Sequence, residues 1–370
     1  LKKRIFIPAL LSGIILICYF VFPRQKTVDN QSSGESPVTG DQKALIYDHI
    51  RHFPDNTQIA VSLIKNDSCI FYGVVKQNDT VQSVVNKDSL FEIGSVTKVF
   101  TATLLAGLVI DSTIAPEGNI NDDLPFELNN NIKIRYLDLA NHTSGLPRKP
   151  TDMALSAIKT PLNPYKSYDT GKLERYLSQR ASLPEKKEKD YEYSNLGVGI
   201  LGYTLCRVTE SNFETLLKEK IFSKYGMAST TTVRENIKDR LVAGHGPFGV
   251  KTRNWDLASL EAAGGILSSA SDMSVFIMAQ FDTNNAELNL TRKSTFVADS
   301  TLEIGLAWHI LKDKSGHEWY WHNGGTGGYR SSVVLDTEKK TGVVVLSNIS
   351  FIHRKSDLID GLCFELMKSL

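Results

Sequence analysis

Apolar and polar positions alternate in four distinct ways along the chain. After Lys2, Lys3 and Arg4, the stretch Ile5 to Phe22 carries no charged side chain and has no amphipathic face. Two short β-type runs follow, Ile59–Ile64 and Cys69–Val74, on either side of Lys65-Asn66-Asp67-Ser68, which reads as a hairpin turn. Thr97 to Ile110 is apolar nearly all round, which predicts a central buried helix. Residues of about 120 to 262 are loop-rich and helical, broken by Pro, Asn and charge clusters such as Glu185-Lys186-Lys187-Glu188-Lys189-Asp190, a solvated surface turn. From Gly305 onward the β pattern returns, with Leu306–Leu311, Glu318–Trp321, Ser331–Leu335 and Val343–Ser347 as an antiparallel meander, closed by an amphipathic helix from Lys355 to Leu370. No internal repeat is visible. Strands at both ends with helices between them predict an α/β (α+β) fold. One antiparallel sheet is built from both termini and flanked by helices, with a mainly helical region inserted over about 120–262. A cleft where sheet and helices meet is the natural place for a site.

The first segment predicts an address as well as a structure. As a helix, Ile5 to Phe22 would span ~27 Å, close to the ~30 Å of a bilayer core. A basic start before an apolar run is an export signal, with the basic end cytoplasmic. No Ala-x-Ala follows, Pro23 disfavours cleavage nearby, and Ile17 before Cys18 is too large for a lipidation site. Residues 1–26 are therefore expected to be a signal peptide or membrane anchor, and 27–44 a polar linker. Residues 45–370 form the working domain, expected outside the cytoplasm and held to the membrane by residues 5–22.

Composition narrows the function by exclusion. The chain has 370 residues, with 42 basic and 41 acidic side chains, so 42 − 41 = +1. Five of the basic ones and no acidic one lie in residues 1–26, which leaves 37 − 41 = −4 for the rest. A mildly acidic body has no concentrated basic face for nucleic acid. Four cysteines are too few for a disulfide scaffold, no Cys-x-x-Cys suggests zinc, and no disulfide is predicted among Cys69, Cys206 and Cys363.

Several familiar signatures fail. There is no Gly-x-Ser-x-Gly nucleophile elbow. Gly197-Val198-Gly199-Ile200-Leu201-Gly202 spells a dinucleotide fingerprint but follows a charged loop, so it reads as a close-packed helix face. His317 and His322 are five apart, and in a strand their rings face opposite ways, so no metal is expected. Lys340-Thr341-Gly342 sits in a turn between two strands, away from a cleft.

Three other patterns carry chemistry. Ser95-Val96-Thr97-Lys98 at the start of the apolar helix puts a hydroxyl and an ammonium on one face, one turn apart. The helix N-terminus favours developing negative charge on the serine, and a partly desolvated lysine can accept its proton. A capping serine beside a surface lysine fits the same residues. In Tyr193-Ser194-Asn195, a phenol near a lysine can have its pKa lowered and act as base and then acid, while Asn195 can bond a substrate amide and position Lys98. A core tyrosine at a helix start fits equally well. His322-Asn323-Gly324-Gly325-Thr326-Gly327-Gly328 ends a strand with glycines that let a substrate backbone approach, and one N–H there can serve an oxyanion hole, though a flexible hairpin connection also fits.

In this order, the three patterns resemble the penicillin-recognising serine hydrolases, in the branch that holds class C β-lactamases, serine D-Ala-D-Ala carboxypeptidases and β-lactamase-like esterases. Leu139-Ala140-Asn141-His142-Thr143-Ser144-Gly145-Leu146-Pro147 and Gly264-Gly265-Ile266-Leu267-Ser268-Ser269 resemble it too. The likeness covers roughly residues 45 to 368. It implies a β-lactamase/transpeptidase-like fold with Ser95 as the acylated nucleophile, Lys98 as its activator and Tyr193 as a partner in proton transfer. Asn195 would orient the substrate amide, His322 would stand where β-lactamases carry the lysine of Lys-Thr-Gly, and the N–H groups of Ser95 and Gly325 would form the oxyanion hole. Gly324 and Thr326 complete the expected substrate-binding set.

The departures shape the expectation. Hydroxyl residues that often hold a substrate carboxylate in this family are replaced by Asn323 and Gly325. Grip on a penicillin or D-Ala carboxylate is expected to be weaker, with Thr326 or Arg330 as possible replacements. His142 reads as a structural loop histidine. The resemblance makes the leading expectation a cofactor-free serine acyl hydrolase acting on D-alanyl peptides in a bacterial periplasm or cell envelope, anchored to the inner membrane by residues 5–22. Alternatives are a β-lactamase or esterase with the same machinery, and a non-catalytic penicillin-binding sensor.

Overall fold

The computed structural model describes residues 29–31, 38–154, 158, 160–185 and 190–370. Twelve strands are found among them. They are β1 (Asp29–Asn30), β2 (Gln58–Lys65), β3 (Ser68–Gln77), β4 (Thr80–Ser83), β5 (Phe91–Glu92), β6 (Leu267–Ser268), β7 (Phe296–Val297), β8 (Leu302–Ile304), β9 (His309–Lys312), β10 (Glu318–Gly325), β11 (Arg330–Asp336) and β12 (Thr341–Ser347). Ten of them form one sheet in the order β1-β4-β3-β2-β12-β11-β10-β9-β8-β7, while β5 and β6 make a separate pair. The halves from the two ends of the chain join at β2 and β12, antiparallel from Ile59 opposite Ser347 to Lys65 opposite Thr341. The sheet built from both termini is therefore as the sequence predicts. Asn66, with φ +53°, turns the hairpin between β2 and β3, a conformation asparagine tolerates.

The central strands are covered on both sides, which is why their sequences run apolar without alternation. Ile59, Val61, Leu63, Val343 and Val345 face one cluster with α1 (Gly40–Ile50) and the closing helix; Ala60, Ile64, Val344 and Leu346 face the other. That second side is packed by α2 (Thr97–Ile110), with α3 (Thr170–Gln179) and α4 (Asn195–Val208) beyond it and α5 (Ala270–Ala279) against β12 and β2. The closing helix, α6 (Leu358–Lys368), starts later than the pattern from Lys355 suggests, because Ser356 donates back to the Phe351 carbonyl and holds that stretch in turns. The strand expected over Leu306–Leu311 is likewise shorter. Leu306 N–H bonds Thr291 O, Ala307 (φ +65°) bonds Ala140 O, and Gly305 bonds Trp308 O, so the chain kinks before β9.

Gly-x-Gly-x-x-Gly is a packing face of α4. A Cβ on Gly199 would lie 2.3 Å from Leu260, and one on Gly202 2.1 Å from Ala262. Part of the polar stretch expected as a linker has regular structure: Asp29–Asn30 pairs with β4, and α1 starts at Gly40 behind a Thr39 capping box. The expected inner-membrane anchoring requires a correction. Among the described residues no helix is long and apolar enough to cross a membrane. The most apolar helix, α2, has 14 residues, or about 21 Å of rise, and is enclosed by the core. Residues 5–22, on which the anchor was placed, lie outside the described residues.

Asn348 fastens the sheet to the inserted region. It is 1% exposed; its Oδ1 accepts from Gln58 N–H (2.7 Å), and its Nδ2 donates toward Ala243 O (2.8 Å) and Asn56 O (3.1 Å), with His245 Nδ1 at 3.0 Å. Asn348→Ala leaves these buried groups unpaired. It should lower stability by about 3 kcal/mol in urea unfolding at an unchanged m-value; a loss below about 1 kcal/mol contradicts the assignment.

Candidate active site

The strand β5 delivers the chain to a tight turn, Gly94–Val96, that runs straight into α2. Gly94 has φ +51°, and a Cβ there would lie 2.5 Å from Gly325 N, so only glycine permits both the turn and the contact. Ser95 is half-buried at the turn, and one helical turn on, Lys98 is wholly buried. The ammonium nitrogen lies 3.0 Å from Ser95 Oγ and donates to Ala263 O at 2.6 Å. The backbone of 262–266 is fixed to α2 by two more bonds, Thr101 Oγ1 to Ala262 O (2.7 Å) and Ile266 N–H to Thr97 Oγ1 (3.1 Å). Among the described residues Lys98 has no carboxylate paired with it. Desolvation, helped by the positive charge of Arg148, holds its pKa well below the usual lysine range. An amine that gives up its charge this readily can accept the proton of the neighbouring hydroxyl.

Tyr193 stands directly beside this pair, its ring centre 4.9 Å from Lys98 Nζ and 4.9 Å from the Arg148 guanidinium carbon. The next residue, Ser194, explains the placement. Its Oγ caps α4 by accepting from Gly197 N–H (2.8 Å) and donates to Pro147 O (2.8 Å), while its N–H donates to His142 Nδ1 (3.2 Å). The His142 ring in turn lies 4.5 Å from the Tyr193 ring. Burial pushes the Tyr193 phenol up to about 12, against the opposing effects of a hydrogen bond to Ser95 and the charge of Arg148. A lowered phenol pKa was the expectation from sequence. The direction reverses because burial outweighs both the hydrogen bond to Ser95 and the charge of Arg148. Tyr193 is thus disposed to donate a proton in the resting site and Lys98 to accept one.

Asn195, the first residue of α4, donates its amide to the Tyr165 hydroxyl (3.1 Å), and its Oδ1 is buried without a partner. Among the described residues no bond joins it to Lys98. Its free carbonyl oxygen is suited to accept an N–H from a bound molecule.

The strand β10 closes the site from the sheet side. His322 is wholly buried, and its Nδ1 donates to Asn323 O (2.6 Å), so the lone pair is on Nε2, which has no partner. Burial, with His309 and Lys98 adding to it, holds its pKa well below the usual histidine range. His309 is opposite Trp321 in the register of β9 and β10; its ring lies 5.3 Å from His322, its Nε2 is 2.8 Å from the Tyr191 hydroxyl, and burial lowers it to about 4. With His142, whose pKa burial also holds well below the usual range, three neutral imidazoles surround the amine and the phenol. Gly324 presses on the nucleophile turn: a Cβ would lie 1.9 Å from Ile93 O, the same carbonyl that accepts from Ser331 Oγ at 2.7 Å. The backbone N–H of Gly325 lies beside Gly94, next to Ser95. Thr326 is 1% exposed and lies next to the buried Glu92 carboxylate. The Asn323 amide donates to Asp360 (2.9 Å), and Arg330 pairs with Asp360 and Asp357.

Ser95, Lys98, Tyr193, Asn195, His322, Gly324 and Gly325 therefore lie close together around the serine–lysine pair, and Thr326, which follows them on the chain, is buried beside Glu92. His309, Tyr165 and Arg148 belong to the same surroundings and carry no sequence pattern of their own. Arg148 directly follows Pro147, so extending that stretch by one residue reaches it. His309 depends on strand register, which spacing does not reveal. Lys340-Thr341-Gly342 lies at the far end of β12 from Ser347, which faces Arg330, about 20 Å along the strand.

The family model described as Beta-lactamase matches residues 48–359. A D-alanyl-D-alanine-carboxypeptidase/endopeptidase, AmpH, of Escherichia coli is 24% identical over 339 residues, covering 85% of this chain and 85% of that protein. Beta-lactamase-like protein 2 of Dictyostelium discoideum is 24% identical over 314 residues, 78% of this chain; the chain spans only 56% of that relative's length. Among solved structures, a class C beta lactamase from Rhodobacter sphaeroides superposes with a TM-score of 0.74 at 19% identity, over 90% of this chain and 99% of the other. It shares the β-lactamase/transpeptidase fold.

The contact between β10 and the nucleophile turn can be tested without a substrate. Gly324→Ala, by forcing a methyl onto the Ile93 carbonyl, should destabilise by about 1–3 kcal/mol in chemical unfolding. Gly40→Ala, where nothing lies within 4 Å, should be neutral or slightly stabilising in its helix. Equal stability of the two variants would contradict the close approach.

Proposed function

The chain belongs to the beta-lactamase family, within the superfamily of serine hydrolases related to penicillin-binding proteins, and from that premise we propose that it is a serine acyl hydrolase acting on D-alanyl peptides. The single observation that carries this reading is the buried Lys98 amine, without a carboxylate partner, 3.0 Å from the Ser95 hydroxyl.

In the proposed reaction Ser95 Oγ attacks the acyl carbon as its proton passes to the neutral Lys98 amine. The tetrahedral oxygen collects negative charge at the N–H groups of Ser95 and Gly325, donors that cost no reorganisation because Gly94 and Gly324 already lock the two segments together. The proton then moves from Lys98 through the Tyr193 phenol to the leaving nitrogen or oxygen. The bond to the leaving group breaks, and an ester on Ser95 remains. Water attacks that ester, gives its proton back along the same path, and releases the acid with Ser95 restored. Asn195 Oδ1 accepts an N–H of the bound peptide. The neutral His322 supplies a wall and an acceptor, not a charge.

Similarity to the E. coli carboxypeptidase over most of both chains supports a D-alanyl peptide as substrate. An esterase is the second reading, favoured by one observation. Asn323 is engaged with Asp360 and Gly325 has no side chain, so β10 offers no hydroxyl to a substrate carboxylate.

Three measurements test the proposal. Ser95→Ala should abolish covalent labelling by a fluorescent penicillin and hydrolysis of p-nitrophenyl acetate; equal labelling of both proteins would remove Ser95 from the mechanism. Lys98 must be uncharged to act. Because burial lowers its pKa, activity should persist at neutral pH and fall on acidification through that lowered pKa, with a slope of one in log kcat/KM. Lys98→Arg, always charged, should lose about 10²–10⁴-fold and its acid limb; an unchanged profile would assign the base elsewhere. Comparison of a D-Ala-D-Ala peptide, nitrocefin and p-nitrophenyl acetate ranks the substrate classes, and the proposal expects the peptide to lead.

A further inference from the structure

A D-alanyl peptide ends in a carboxylate, and the groups on the β10 side of the cleft have other occupations. Arg330 pairs with Asp360 and Asp357. Ser331 donates to Ile93 O, Thr326 is buried toward Glu92, and Asn323 donates to Asp360. Burial disfavours a positive charge on Lys98 and on the three histidines. The floor of the site therefore holds several polar side chains and no available positive charge.

The opposite rim is different. Arg148 and Lys149 are both exposed, and among the described residues neither has an acidic partner. Each is laid over an aromatic ring of the site: Arg148 is 4.9 Å from the centre of Tyr193, and Lys149 Nζ is 5.5 Å from that of Tyr165. Those rings are not incidental. Tyr193 also meets Lys98 at 4.9 Å, and Tyr165 accepts from Asn195. The backbone carbonyl of Arg148 accepts from the N–H of Asn195 (3.0 Å) and of Leu196 (3.2 Å), so the start of α4 fixes the pair in position. Two adjacent cations without an anion repel each other, and Lys149 is already pushed below its usual pKa by burial and by Arg148. A bound carboxylate relieves both costs.

We infer that Arg148 and Lys149 form a carboxylate subsite on the loop side of the cleft, which selects acyl substrates carrying a negative charge close to the reacting carbonyl. It takes over the anchoring for which β10 has no free group. The inference rests on the acyl-hydrolase reading above.

The test compares two thioesters of N-acetyl-D-alanine, one made with mercaptoacetate and one with its methyl ester, so that they differ in a single carboxylate. Wild type should favour the acid in kcat/KM. The acid-to-ester ratio should fall roughly tenfold or more in Arg148→Gln, further in Arg148→Gln/Lys149→Gln, and much less in Arg148→Lys. The ratio is the informative quantity, because any change that Arg148 causes in Lys98 or Tyr193 affects both thioesters alike. Raising ionic strength should shrink it in wild type and leave it unaltered in the double variant. Turnover that depends on Ser95 but shows the same ratio in every variant overturns the subsite alone. Absence of any Ser95-dependent turnover overturns the hydrolase reading and the subsite with it.

Discussion

An amine taken out of water with no carboxylate to meet it is the constraint around which the rest of the molecule is arranged. Lys98 is wholly buried, and its nearest polar neighbours are a carbonyl and a hydroxyl. Such a group stays charged only at a large cost, so it gives up its proton. That one shift determines the behaviour of its neighbours. The phenol of Tyr193 keeps its hydrogen because burial outweighs the nearby Arg148 charge, and burial likewise disfavours charge on the three imidazoles. The site is consequently a set of poised, uncharged donors and acceptors with a cationic rim.

Holding that set open is costly. Among the described residues, Asn195 Oδ1, His142 Nε2 and His322 Nε2 are buried without a partner, and such groups are rare in native proteins. The stability to tolerate them comes from the sheet and α2, whose side chains are almost entirely buried. The same elements position the chemistry. α2 carries Lys98, the turn before it carries Ser95, β10 supplies the facing backbone, and α4 places Tyr193 and Asn195 at its start. Glycine recurs wherever two of these backbones touch, at Gly94 against Gly325 and at Gly199 and Gly202 against residues 260 and 262.

Much of this was legible from the chain alone. The apolar run Thr97–Ile110 is the helix α2 at both ends, the two terminal β regions do form one sheet, and the residues of the three patterns converge, apart from Thr326. Spacing succeeds there because a helical turn or a strand fixes relative positions locally. It fails where the answer depends on what lies across a contact. The direction of the Tyr193 shift follows from how fully the fold buries the phenol, the engagement of Arg330 follows from Asp360 on α6, and His309 reaches the site through register. The kink at 305–308 comes from bonds to Thr291 and Ala140, which no local pattern records. Hydropathy of residues 5–22 spoke only of a segment outside the described residues, whereas the helices that are described include none that could cross a bilayer.

The seam between β2 and β12 sets a timetable for synthesis. Ile59 finds its partner only when Ser347 has been made. At ribosomal speeds of about 5–20 residues per second, the interval is roughly 15–60 s. During that time β2 has β3 beside it but an open, apolar edge on its other flank, and an isolated hairpin is barely stable in water. The newborn chain must therefore pass through a period in which an apolar strand edge is unpaired, while Ser95, Lys98, Tyr193 and Asn195 already exist and await the facing residues of β10. The seam cannot close before Ser347 is made, and a nascent chain interrupted before then is a candidate for aggregation and for capture by chaperones.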